Sequence, residues 1–316
     1  MSKLPKTTFN QIRRWVYQYA RHLDITLWQY YFENGSKEAV IDALSVYQNE
    51  DGGFCGLDPD CLNPESAPWS TVNEAYGYLV ELESVDKSSP LMQGIMRYVA
   101  NTEHFTEHGW YWAIPSNNSY PCEDYMRFPN SPWFPDDWPP EKHNNGELTD
   151  FVLTHFSKDD EVYKKTLRML KYRLSIMPTY ADFCKHANEI EQGMEAWDWR
   201  KLIDAMRRHG IVSDEEYQRI ASDFLQIVES SPLKDHAILA DTLDWINKNG
   251  ESETNEVADC DAIINELSAG NKWNEGGLTV EHKGKFTSMT VGEVWWPIMS
   301  AIGKLKELKE HNRIEV

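Results

Sequence analysis

The sequence predicts an all-α fold, and three observations carry that expectation. Apolar residues recur at helical spacing along much of the 316-residue chain, while alternating strand patterns are scarce. Helix-start signals recur: Ser70 or Thr71 followed by Glu74, Pro90 at a first helical position, and Ser213 followed three residues later by Glu216. A helical segment running into a polar glycine turn and then a large apolar residue occurs sharply once and loosely twice more.

Taken in order, residues 9–23 read as a first helix, and 27–32 continue or restart it after Asp24. Residues 36–47 form an amphipathic helix with Ala39, Val40, Ala43, Leu44, Val46 and Tyr47 on its apolar face. It runs into Gln48-Asn49-Glu50-Asp51-Gly52-Gly53-Phe54. The paired glycines permit backbone angles that a Cβ resists, so the chain can stop and reverse, and Phe54 can return to the core. Residues 52–68 are a loop rich in Gly, Pro, Asp and Asn. A helix over 71–83 follows, with Ser70 or Thr71 as N-cap and Glu74 as capping-box partner of Thr71, then one from Pro90 to about Asn101.

Residues 109–145 carry prolines at 115, 121, 129, 132, 135, 139 and 140, which rule out a continuous helix. The same stretch holds Trp110, Tyr111, Trp112, Tyr120, Tyr125, Trp133 and Trp138. A disordered linker is poor in aromatics, so an ordered loop packed over something is expected, of the kind that is often functional. Helices resume over 148–156, 159–176, 180–193, 195–209, 213–229, 235–248, 257–269 and 293–310. Residues 280–285 read as a short hairpin or loop. The looser copies of the turn are Glu107 to Trp112 after 95–101, and Asn271 to Leu278 after 262–269.

A helix followed by Gln48-x-x-Asp51-Gly52-Gly53-Phe54 resembles the repeat of the terpenoid cyclase and protein prenyltransferase superfamily. More closely, the chain is similar to a group of bacterial prenyltransferase-like proteins of that superfamily. The likeness rests on residues 30–36, 47–54, Leu57-Asp58-Pro59-Asp60, Asn63-Pro64, 114–121 and Trp295-Trp296. It touches the first third and the last helix, and residues 147–254 contribute little. The resemblance implies an α/α toroid, a ring of helical hairpins about a central cavity, with residues 1–316 as one domain. It brings no activity with it.

Acids outnumber bases 51 to 31, a formal charge of −20. Such a field repels nucleic acid and anionic membranes, whose binding needs clustered Lys and Arg. No run approaches the roughly 18 apolar residues of a membrane span. The polar first ten residues lack the apolar stretch of a secretory signal, so a cytoplasmic location is expected. Cys55, Cys61, Cys122, Cys184 and Cys260 include no C-x-x-C pair, and neither disulfides nor a zinc site are expected.

Asp58 and Asp60 are the candidate catalytic residues. In a ring of hairpins their loop lies near one rim, where two carboxylates can share a proton, protonate an alkene or a sugar oxygen, or hold a cation. The plainer reading of the pair is a turn and helix cap. Trp110, Trp112, Tyr120 and Trp133 are candidate substrate-binding aromatics, suited to carbocations or sugar rings, with core packing as the alternative. Asn117 and Asn118 add amides suited to a polar ligand. The class II cyclase D-x-D-D motif lacks its last acid here, since Cys61 follows Asp60. Asp136-Asp137-Trp138 fails the D-D-x-x-D pattern, and no zinc set or diphosphate-binding cluster of bases is present. P-loop, dinucleotide, G-x-S-x-G and H-E-x-x-H motifs are absent as well.

The expectation is therefore a small-molecule enzyme of cyclase-like build. It acts on an apolar or isoprenoid substrate by acid-initiated chemistry, without metal or cofactor. The alternatives are a carbohydrate-active toroid (hydrolase or epimerase) and a non-catalytic binding protein that keeps the fold. Far-UV circular dichroism tests the fold class: a helix-dominated spectrum is expected, and a β-dominated one contradicts it.

Overall fold

Serines open three helices where the sequence places their starts. In the computed structural model, which describes residues 2–129, 146–176, 200–229, 260–269 and 290–315, the Ser36 hydroxyl accepts the Ala39 N–H at 3.1 Å and the Ser89 hydroxyl accepts that of Met92 at 3.2 Å. Ser213 and Glu216 form a reciprocal capping box, with contacts of 2.9 and 3.2 Å. The helices are α1 Lys6–Tyr19, α2 His22–Phe32, α3 Lys37–Ser45, α4 Gly77–Glu81, α5 Pro90–Asn101, α6 Gly146–His155, α7 Glu161–Ile176, α8 over 200–208, α9 Asp214–Glu229, α10 Cys260–Ser268 and α11 Thr290–Glu310. A π-helical stretch, Trp69–Tyr76, leads directly into α4. Among the described residues β pairing is confined to isolated bridges, and the fold is all-α. No described helix is long and apolar enough to cross a membrane.

Two expected elements differ. The first helix breaks at Ala20 and Arg21, earlier than expected, because both residues are extended and the Arg21 side chain turns inward to Asp24. The helix expected from Thr71 starts instead at Trp69, as π-helix. Thr71 is no N-cap: its hydroxyl donates to the Ala67 carbonyl at 2.7 Å and accepts the Phe54 N–H at 2.9 Å. The elements expected over 180–193 and 235–248, the turn copy at Asn271 to Leu278 and the segment 280–285 lie outside the described residues.

Two apolar clusters form the core. One gathers α3, α4, α5, α6, α7, α8 and α9 around Phe54 and Trp110, with Leu23 and Leu27 of α2. The other joins α1, α10 and α11 around Trp28 of α2. Helix α2 is apolar on both sides and forms a wall shared by the two. The chain ends meet. The Leu4 N–H donates to the Arg313 carbonyl at 2.8 Å, and Glu315 returns a bond to the Leu4 carbonyl at 3.0 Å. Lys306 of α11 pairs with Glu81 at 2.6 Å and lies over the Tyr31 ring.

The Gln48–Phe54 turn fixes the loop that follows it. Gly52 adopts φ +94, and a Cβ there would meet the Gly94 carbonyl oxygen of α5 at 2.1 Å. A Cβ on Gly94 would in turn meet Gln48 Nε2 at 2.2 Å. That amide is placed by donating to the Gly52 and Leu91 carbonyls, each at 3.0 Å. Asp51 accepts the Gly53 N–H at 2.9 Å and the Ser66 hydroxyl at 2.7 Å. Gly53 is not left-handed; it must lack a side chain because Ser66 and Tyr98 lie within 2.6 Å of where a Cβ would stand.

Gly52→Ala is expected to cost about 2 kcal/mol or more, from strain at positive φ plus the backbone clash. Gly303→Ala is the control, because its added Cβ would meet nothing within 4 Å. Urea unfolding midpoints measure both, and an unshifted midpoint for Gly52→Ala would contradict the docking of this turn on α5.

Candidate active site

Asp58 and Asp60 lie in the loop between the glycine turn and the π-helix, and both are buried. The loop is pinned at each end: the Ala67 N–H donates to the Phe54 carbonyl at 3.0 Å, and Leu57 is buried in the core. Asp58 accepts the Asp60 N–H at 2.8 Å, a local turn of the kind short acidic side chains make. The Tyr125 hydroxyl donates to Asp60. From the other side α11 presses on the same acid, since a Cβ on Gly292 would come within 2.9 Å of Asp60 Oδ1.

The segment 109–129 covers this loop through main-chain bonds from Glu123 N–H to the Asp60 carbonyl, 2.8 Å, and from Leu62 N–H to the Pro121 carbonyl, 2.9 Å. Cys61 and Cys122 are joined by a disulfide. That bond corrects the expectation that the cysteines stay unpaired. The two residues are 61 apart in sequence, and only the packing of the cover on the loop brings them together.

Among the described residues the positive charge that acts on Asp58 is that of Arg21. Arg21 makes a two-point ion pair with Asp24, at 2.8 and 3.1 Å, and donates to the Leu57 carbonyl at 2.6 Å. The Trp295 ring lies 5.3 Å from its guanidinium carbon. With Arg21 so engaged, burial dominates the neighbouring carboxyls. Asp58 is pushed up to about 7, first by burial and then by the charge of Asp60. Glu74 is pushed up to about 8, first by burial and then by Asp58. Burial and the same two aspartates push the Tyr125 phenol up as well.

A cavity with about 20 Å³ of room for water-sized centres opens beside Asp58, between Trp69 and Ser70 of the π-helix and Trp112, Asn117 and Met126 of the cover. Trp69 and Trp112 meet edge to face at 4.4 Å. Of the residues expected to bind substrate, Trp112 and Asn117 reach this cavity. Trp110 does not: it is fully buried in the core and stacked on Phe105 at 3.7 Å. Asn118 closes the cover on itself, donating to the Phe128 carbonyl at 2.7 Å and accepting the Phe128 N–H at 3.0 Å. Tyr120 packs against the disulfide. Trp133 lies outside the described residues.

Asn117 is itself structural in its bonding. It donates to the Met126 carbonyl at 2.8 Å and accepts from Asn63 Nδ2 at 2.7 Å, so its amide is already occupied. Among the described residues no group of three or more His, Cys, Asp and Glu is arranged to hold a metal ion.

Sequence reasoning missed Glu74, Arg21, Tyr125 and Trp69. Glu74 carried a false signal, since Thr71 three residues earlier suggested a capping box. Arg21 and Asp24, three apart at a helix start, offered a usable one: a charge pair that a helix can fold onto itself. Tyr125 could not be paired with Asp60 without knowing the path of the cover. A scan against protein-family models and searches of curated proteins and of solved structures return no match to this chain.

A raised carboxyl destabilises the fold once the unfolded chain ionises. Asp58 therefore costs nothing below about pH 4, its ordinary range, and lowers stability progressively up to about 7. Asp58→Asn keeps an oxygen for the Asp60 N–H and removes that loss. The variant should match wild type near pH 4 and exceed it at pH 8 by on the order of 2–4 kcal/mol. Denaturant melts at the two pH values measure the difference, and equal stability at pH 8 would show that Asp58 titrates normally.

Proposed function

We propose that the chain is an α/α toroid enzyme of the terpenoid cyclase and prenyltransferase type. On this reading Asp58, paired with Asp60, protonates an apolar, isoprenoid-like small molecule. The observation that carries it is a buried Asp58 with raised proton affinity opening on a cavity walled by Trp69 and Trp112. An acid that keeps its proton near neutral pH is suited to donating it. Aromatic faces suit the cation that protonating an alkene creates. The meeting of α11 with α1, α2 and the strand-like ends supports a closed ring.

The carbohydrate reading draws less support. It needs free amides to bind hydroxyls, and those of Asn117 and Asn118 are held by the cover itself. Asn63 is held likewise, donating to Ser116 and Asn117 and accepting the Glu65 N–H. The cavity size favours the third reading, a binding protein that keeps the fold: about 20 Å³ admits little more than one water. An enzyme here must therefore shift part of the cover to admit its substrate.

Turnover assays with linear isoprenoid hydrocarbons and alcohols, run beside aryl glycosides, separate the three. The expected result is product from the isoprenoids, reduced roughly 100-fold or more in Asp58→Asn and in Asp60→Asn, with the fold retained. Glycoside turnover alone would favour the second reading. Absence of turnover with both, or full activity in both variants, would overturn the acid role.

A further inference from the structure

The Asp58 cavity is closed by a part of the cover that is braced within itself. Arg127 donates to the carbonyls of Asn117, Tyr120 and Cys122 at 2.8, 3.0 and 2.8 Å. Asn117 and Asn118 bond Met126 and Phe128 across the same segment. Residues 115–128 are thus tied together and can shift as one piece. Their root is fixed separately. Trp110 is buried against Phe105, and the Tyr111 N–H donates to the His104 carbonyl at 2.9 Å.

The tie between this piece and the loop centres on Cys61 and Cys122. The two residues face each other in an isolated antiparallel bridge. One main-chain bond lies on each side of them, from Leu62 to Pro121 and from Glu123 to Asp60. So short a pairing is marginal without further support. Asn63 adds bonds to Ser116 and Asn117, and Tyr125 adds one to Asp60. The disulfide adds a covalent link between residues 61 apart, and breaking it restores the freedom of a long loop. The packing around it is local. Cys61, Cys122 and Met126 form a small apolar cluster with Trp112, Tyr120 and Tyr125, apart from the two main clusters. Lifting the cover disrupts this satellite and leaves the main core in place. Cys61 lines the cavity itself. Leu62 and Pro121, next to the two cysteines, are exposed, so the disulfide lies just beneath the surface.

We propose that the Cys61–Cys122 disulfide is a redox latch on the Asp58 cavity, opened by a dithiol reductant. This deepens the acid-initiated reading and rests on it for what the opened cavity admits. With the latch closed the cavity offers about 20 Å³, too little for a substrate. A thiolate of the reductant attacks one sulfur, forming a mixed disulfide as the Cys61–Cys122 bond breaks, and the other cysteine leaves as thiolate. The second thiolate of the reductant then attacks the mixed disulfide and releases the remaining cysteine. The reductant ends as a disulfide, two electrons have passed to the protein, and the cysteine thiolates take up the protons that the dithiol lost. The main-chain bonds beside the cysteines then stand without a covalent link between them, and residues 115–128 lift from the loop.

The test is hydrogen–deuterium exchange of the full chain, read by peptide mass spectrometry before and after treatment with dithiothreitol. Iodoacetamide labelling reports the state of the two cysteines in each sample. Untreated protein should leave Cys61 and Cys122 unlabelled. On reduction, peptides holding Leu62 and Glu123 should exchange about 10-fold faster or more, while those of α3 and α5 keep their protection. The Cys61→Ser, Cys122→Ser double variant should match the reduced protein and ignore dithiothreitol. If that variant does not fold, the wild-type comparison decides alone. Labelling of both cysteines in untreated protein would overturn the proposal. So would unchanged cover exchange on reduction, or faster exchange through every helix, which marks a staple of the whole fold. The measurement needs no substrate, so the two readings fail separately. A cover that opens on reduction without isoprenoid turnover sinks the acid role and keeps the latch. Equal turnover in both redox states sinks the latch and keeps the acid role.

Discussion

The backbone of Gly52 lies against the backbone of Gly94, closer than any side chain allows. Much of the site follows from that approach. It lets the turn dock on α5, with Gln48 bridging the turn carbonyl of Gly52 and the α5 carbonyl of Leu91. Asp51 then ties Gly53 to Ser66 on the far side of the loop. With both ends of the loop held, Phe54 and Leu57 enter the core and Asp58 is drawn below the surface. The acids are buried because of where the scaffold holds the loop, since their own hydration favours the surface.

That burial sets stability against proton affinity. Among the described residues the cation that acts on Asp58 and Glu74 is Arg21, and Asp24 already pairs with it. A more stable arrangement would place a lysine among them or an amide in place of one acid. Burial instead raises the proton affinity of Asp58 and Glu74, the kind of local cost that accompanies functional sites. The cover reinforces this. Tyr125 reaches Asp60, Trp112 meets Trp69, and the Cys61–Cys122 bond joins cover to loop.

The sequence was legible where the chemistry is local. Ser36, Ser89 with Pro90, and Ser213 with Glu216 mark helix starts through bonds spanning three residues, and the structure makes those bonds. Gln48 to Phe54 was legible as a turn, although the left-handed residue is Gly52 and Gly53 is required for close packing. Legibility ended where distant segments meet. Trp110 and Trp112 are two residues apart; one enters the core and the other the cavity, and only the path of the cover decides which. Glu74 was misread because the Thr71 hydroxyl is taken by Phe54, 17 residues earlier, which turns a capping signal into a tertiary tie. The disulfide depends on the same unseen contact between loop and cover.

The proposed role of Asp58 depends on its holding a proton just below neutral pH, as its burial favours. Infrared difference spectroscopy of wild type against Asp58→Asn, near pH 6, tests this most directly. A protonated-carboxyl C=O stretching band is expected in wild type, missing from the variant and fading as the pH is raised through about 7. A carboxylate band from Asp58 already present at pH 6, unchanged up to pH 8, would contradict it.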